Sequence, residues 1–76
     1  MSYLRPIQID RHWLNQIFTA QAVAKGGIVR RKIADVDAKV GRQSLELEVR
    51  RRGFHLIEAG NQFIIVCDTG HIRLIC

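Results

Sequence analysis

Apolar residues along this chain mostly recur every three or four positions up to Arg52, and alternate with polar ones after Gly53. The first spacing marks one face of a helix and the second marks one side of a strand. The clearest helical stretch is Asp10–Lys25, closed by Gly26-Gly27. Asp10 is suited to an N-cap, because its carboxylate accepts from first-turn amides. Trp13, Leu14, Ile17, Phe18 and Ala24 then form the expected buried stripe.

Gly27–Gly41 carries two signals. Val29, Ile33, Val36 and Val40 recur at helical spacing, but Ile28 and Val29 are β-branched. Arg30-Arg31-Lys32 would also put three cations at a helix N-terminus, where the macrodipole disfavours them. A short strand over residues 28–31 followed by a helix over Lys32–Lys39 removes the conflict. Asp35 then falls near the first turn and Lys39 in the last, the favourable polarity.

Arg42–Arg52 fits two templates. Leu45, Leu47 and Val49 alternate with Glu46 and Glu48 as in a strand, while Leu, Glu and Arg are all strong helix formers. Glu46–Arg50 and Glu48–Arg52 are i,i+4 pairs in the better orientation. Gly41 and Gly53 bracket the segment at helix length. The spacing therefore predicts a helix, with Leu45 and Val49 inward and Leu47 projecting outward beside Arg50 and Arg51.

Beyond Gly53, Phe54–Glu58, Gln62–Cys67 and Ile72–Ile75 read as strands joined at Ala59-Gly60-Asn61 and Asp68-Thr69-Gly70. Short glycine-containing links suit hairpins. The expected fold is α+β, one small domain over residues 1–76: three helices followed by an antiparallel β-meander. No internal repeat or linker interrupts it.

Composition adds little to that picture, but charge adds more. With 76 residues, 47% hydrophobic and 25% charged, the chain has a globular balance and one modest core. No run approaches the roughly 18 apolar residues of a membrane span, and the first residues are too polar for an export signal. A cytoplasmic protein is expected. Cys67 and Cys76 would sit too far apart across a hairpin for a disulfide, so both are expected as free thiols. The formal charge is +5, and residues 25–52 alone carry nine basic side chains against four acidic ones. A concentrated basic region is the footprint of a polyanionic partner.

The order helix, short strand, helix, turn, helix, strands resembles a winged-helix domain, carried by "IADVDAKVGRQSLELEVRRRGFHLIEAGNQFIIVC", residues 33–67. The resemblance implies that Ile33–Val40 is the supporting helix, Gly41 the turn, Arg42–Arg52 the recognition helix and Phe54–Cys67 the wing. Such a helix enters the major groove by its N-terminal residues while basic side chains hold phosphates. It thereby implies Arg42, Gln43 and Ser44 as base-edge contacts, and Arg30, Arg31, Lys32, Arg50, Arg51 and Arg52 as phosphate contacts. Gln43 suits adenine and Arg42 suits guanine. The implied activity is DNA binding or transcriptional regulation, with duplex DNA as partner.

The tail "VRRRGFHLIEAGNQFIIVC" is similar to short uncharacterised alphaproteobacterial proteins, some labelled as an isomerase of tryptophan synthesis. That activity does not carry over, since its (β/α)₈ barrel needs at least about 200 residues. In size and character the chain also resembles small basic proteins of phages and mobile elements, including anti-CRISPR inhibitors. This alternative implies protein–protein contact with a host nucleoprotein complex, with Leu47 as apolar anchor near Arg50 and Arg51, and Trp13 and Tyr3 toward the other end. Cys67, His71 and Cys76 lack metal-ligand spacing, and no nucleophile, phosphate cradle or carboxylate pair is evident. No metal, cofactor, small-molecule substrate, membrane contact or catalysis is expected; oligomeric state stays open.

Overall fold

The computed structural model describes residues 9–19 and 21–76. Within them the chain forms α1 (Arg11–Thr19), α2 (Gln21–Ala24), β1 (Ile28–Lys32), α3 (Ile33–Lys39), α4 (Arg42–Arg51), β2 (His55–Ala59) and β3 (Gln62–Val66). The long first helix expected from periodicity thus appears as two helical segments either side of position 20, which lies outside the described residues. Asp10 caps α1 as anticipated: Trp13 N donates to Asp10 Oδ1 at 2.9 Å. Asp10 N itself donates to Lys39 O, which seats the start of α1 on the end of α3.

The conflict over residues 28–41 resolves as the cation placement required. Arg30, Arg31 and Lys32 are extended, and the backbone turns helical at Ile33, with Lys32 as N-cap at φ −68°, ψ 138°. Asp35 then occupies the first turn of α3 and Lys39 the last. Val40 and Gly41 join α3 to α4, and Gly41 makes the turn. Its φ of 80° turns the chain between the two helices, in a region that side-chain-bearing residues avoid.

α4 confirms the helical reading of Arg42–Arg52, with Leu45 and Val49 buried and Leu47 outward. It ends in a Schellman motif. Gly53 at φ 74° donates to Arg50 O, and Phe54 N donates to Val49 O. Arg50 and Arg51 stand in the last turn, where cations meet the negative end of the helix dipole. The arginine run is therefore also a helix terminator.

The sheet has the order β1-β3-β2 and both pairings are antiparallel. Register aligns Val29 with Ile65 and Leu56, and Arg31 with Phe63 and Glu58. These residues share the face turned toward the helices. Leu14, Ile17, Phe18, Val36, Val40, Leu45 and Val49 pack there against Val29, Phe63 and Ile65. Arg30, Lys32, Ile57 and Ile64 fall on the opposite face, as alternation demands. Trp13 lies half-buried against the core, while Ala24 of the expected stripe is exposed.

One element departs from expectation. Ile72–Ile75 forms no strand, so there is no three-stranded C-terminal meander. Both edges of β3 are already occupied, one by β1 and the other by β2, which leaves no ladder position for a strand returning after β3. Asp68-Thr69-Gly70 instead forms a local turn in which Gly70 N donates to Asp68 Oδ1. Cys67 is buried and Cys76 exposed, both with free thiols. Among the described residues, no helix is long and apolar enough to cross a membrane.

Leu45→Ala should cost roughly 2–5 kcal/mol in chemical denaturation, because it empties a fully buried site. Leu47→Ala, two residues along the same helix, should change stability by less than about 1 kcal/mol. Burial also raises the Cys67 thiol pKa, against a smaller opposing effect of Arg52. A thiol reagent at neutral pH should accordingly modify Cys76 quickly in the native protein and Cys67 only on denaturation, read by mass spectrometry.

Candidate nucleic-acid interface

The basic side chains divide into two groups at opposite ends of α4, about 15 Å apart for a helix of this length. At the N-terminal end, Arg42 reaches across to β2 and pairs with Glu58, Nη2 to Oε1, at 3.1 Å. Its guanidinium also lies 5.5 Å from the centroid of the Phe63 ring. The hairpin tip is adjacent, because Glu58 immediately precedes the tip residues Ala59-Gly60-Asn61. The N-terminus of α3 joins the same end, since Ile33 N donates to Asn61 O at 2.9 Å and Lys32 is in register with Gln62 and Ala59. Two helix starts and the tip of the hairpin therefore converge, while Arg30 and Lys32 stand on the opposite face of the sheet, Lys32 at the adjoining end of β1.

This end suits anions on two grounds. Gly41, the N-cap of α4, offers no side-chain oxygen, so first-turn amides of a ten-residue helix are left for an external acceptor. Arg30 and Lys32 are exposed, and among the described residues no carboxylate pairs with either. Arg31 is half-buried and donates from Nη1 to Arg30 O at 2.7 Å. Gln43 is exposed on the first turn of α4 and Ser44 half-buried behind it.

At the C-terminal end the arginines already have partners. Arg50 pairs with Glu46 at 3.0 Å, Arg51 with Glu48 at 2.6 Å and Arg52 with Glu48 at 2.8 Å. Glu48 is held below the usual carboxylate pKa, chiefly by the hydrogen bond from Arg51, partly offset by desolvation, and further by the bond from Arg52. Arg52 is half-buried, with its guanidinium 4.3 Å from the centroid of the Phe18 ring. It joins α4 to α1 and is the least accessible of the three. Arg50 and Arg42 are different: their pairs are solvent-exposed, and such pairs hold by no more than about 1 kcal/mol. Either arginine can be transferred to a phosphate at little cost.

Leu47 stands between the two groups with 60% of its surface exposed. Ile9, Leu14 and Ser44 line a shallow depression of about 200 Å³ with it. Trp13, on α1, packs against the core and is not among the residues lining this depression, and Tyr3 lies outside the described residues. A larger groove of about 430 Å³ separates α4 from β2. Val49, Phe54, Leu56 and Phe63 line it with apolar surface, while Arg42, Glu46, Arg50 and Glu58 supply charges around it. Sequence reasoning missed this groove and the part played by Glu58, since neither follows from spacing along one element. Alternation in "HLIE" places Glu58 on the helix-facing side of β2, but only the approach of α4 gives it an arginine.

His55 Nε2 lies 2.6 Å from Gly70 O, which ties the turn after β3 to the start of β2. Among the described residues, no three His, Cys, Asp or Glu side chains gather as metal ligands would. Comparison with protein-family profiles, curated proteins and solved structures found no match to this chain.

The depressed pKa of Glu48 gives a stability term with a definite sign. Its contribution is present above the unfolded value, about 4.3, and is lost as pH falls through the lower folded value. Glu48→Gln should therefore melt below the wild type at neutral pH. The gap should narrow on acidification below about pH 4, as followed by circular dichroism.

Proposed function

We propose that this chain is a non-catalytic, winged-helix-type DNA-binding protein that docks by the end of the domain where α3, α4 and the β2–β3 hairpin converge. The observation that supports the reading is that convergence, with the exposed Arg30 and Lys32 on the outer face of the adjoining strand β1. The supporting arrangement is a helix-turn-helix, α3–Gly41–α4, followed by an antiparallel hairpin, with β1 added to the hairpin's far strand.

In this reading α4 enters the major groove by its first turn. A phosphate accepts from the open amides behind Gly41 and draws Arg42 away from Glu58. Gln43 faces the base edges, where its amide suits adenine, and Arg42 suits guanine. Leu47, one turn further on, packs on a thymine methyl, the apolar feature of that groove. Arg30 and Lys32 hold backbone phosphates, and Arg50 and Arg51, which point about 100° apart, exchange their glutamates for separate phosphates. Arg52 stays with Glu48 and Phe18 and serves the fold.

The exposure of Leu47 favours a second reading, in which α4 docks on a protein surface of a nucleoprotein complex and Leu47 is the buried anchor. Salt response separates the two. In the DNA reading, affinity for mixed-sequence duplex should fall by about a hundredfold or more between about 50 and 200 mM salt, reflecting several released counterions. Arg30→Gln/Lys32→Gln should weaken binding and reduce the salt slope by about two. Arg50→Ala/Arg51→Ala should weaken it less, because each glutamate is then relieved of a partner it had to surrender. Glu58→Gln should tighten binding by freeing Arg42. Absence of binding at the lower salt sinks the DNA reading and leaves the protein surface.

A further inference from the structure

We propose that the groove between α4 and β2 is a strand-docking site for the C-terminal segment His71–Cys76 of a second copy of this chain, the two copies exchanging tails reciprocally. The sheet has two edges and protects only one. β1 carries Arg30, Arg31 and Lys32, the cations that keep edge strands from pairing with other chains. β2 carries no Lys, Arg or Pro, and among the described residues no strand pairs with its outer edge. Apolar surface from Val49, Phe54, Leu56 and Phe63 lines the groove beside that edge.

The tail supplies the complement. Ile72, Leu74 and Ile75 are 44%, 87% and 78% exposed, and the segment has no secondary structure although its composition is that of a strand. At six residues it is long enough to pair along the five of β2. Ile72 already lines the groove, and the bond between His55 and Gly70 delivers the tail to the start of β2. Yet the chain's own tail forms no ladder with β2 and leaves Leu74 and Ile75 in solvent. The chain holds both halves of an interaction and does not close them on itself. Tail exchange, with Asp68-Thr69-Gly70 as the reversing link, brings a second copy's strand onto the free edge. Ile72 and Leu74 then share the groove face, while Arg73 and Ile75 fall on the opposite face, the one that carries Ile57. A strand added to a free edge gains affinity from main-chain bonds and specificity from alternate side chains.

The test needs no DNA. Sedimentation of the full chain over about 10 to 500 µM, a span bracketing a dissociation constant of about 100 µM, should show mass rising from monomer to dimer. Added salt should strengthen association by screening the repulsion between two +5 chains. Leu74→Glu/Ile75→Glu should weaken association at least tenfold and leave the melting temperature of the monomer unchanged. A nitroxide on the exposed Cys76 of unlabelled chains, mixed with ¹⁵N-labelled chains lacking it, should broaden amides of Leu56, Ile57, Glu46 and Arg50 in the ¹⁵N chains. A monomer throughout, a dimer that the tail variant leaves intact, or the absence of broadening at these amides of the ¹⁵N chains would each overturn the proposal.

Discussion

Burial of Leu45 and Val49, one turn apart on α4, beneath the inner face of the sheet is the constraint on which the rest of the molecule depends. A helix has one rotational setting that buries both. That setting turns Gln43, Leu47 and Arg50 to solvent, carries Arg42 over Phe63 toward β2, and leaves Arg52 to lie on Phe18. In so small a domain, the hydrophobic contact that holds the fold also aims the functional side chains.

The arginines then do different work according to where the helix ends. Arg50, Arg51 and Arg52 follow one another in sequence, but successive helical residues point about 100° apart, so they cannot form one patch. Two of them share Glu48, and one of those two packs on an aromatic ring of α1. Their common effect is to end α4 with favourable charge before Gly53 reverses the backbone. The cations left for an external anion are mostly elsewhere, on β1 and at the first turn of α4. A count of positive charge along the chain points to the middle third. It does not distinguish arginines committed to the fold from those still available.

Element types were largely legible. The cations of residues 30–32 excluded a helix start before Ile33, and the propensities of Arg42–Arg52 outweighed its alternation. The strand predicted for Ile72–Ile75 failed for a reason invisible in that segment. Its alternation is real, but a meander strand returning after β3 needs a free edge on β3, and β1, some forty residues earlier, had taken it. The same event placed Arg30 and Lys32 on the uncovered face of the sheet and made β2 an edge. The groove beside β2 and the Arg42–Glu58 pair across it are likewise products of docking.

By itself, then, the sequence determined what is local: the capping at Asp10 and Gly53, the switch from strand to helix after Lys32, the inward Leu45 and Val49, and the excess of positive charge. These follow from backbone sterics, helix dipoles and the period of apolar residues, all of which act within a few positions. Tertiary structure alone decided which strand pairs with which, which arginine meets which carboxylate, and which apolar residues stay in solvent. Those outcomes depend on competition among distant segments for the same edge, face or partner, and that competition is settled only when the chain is closed on itself.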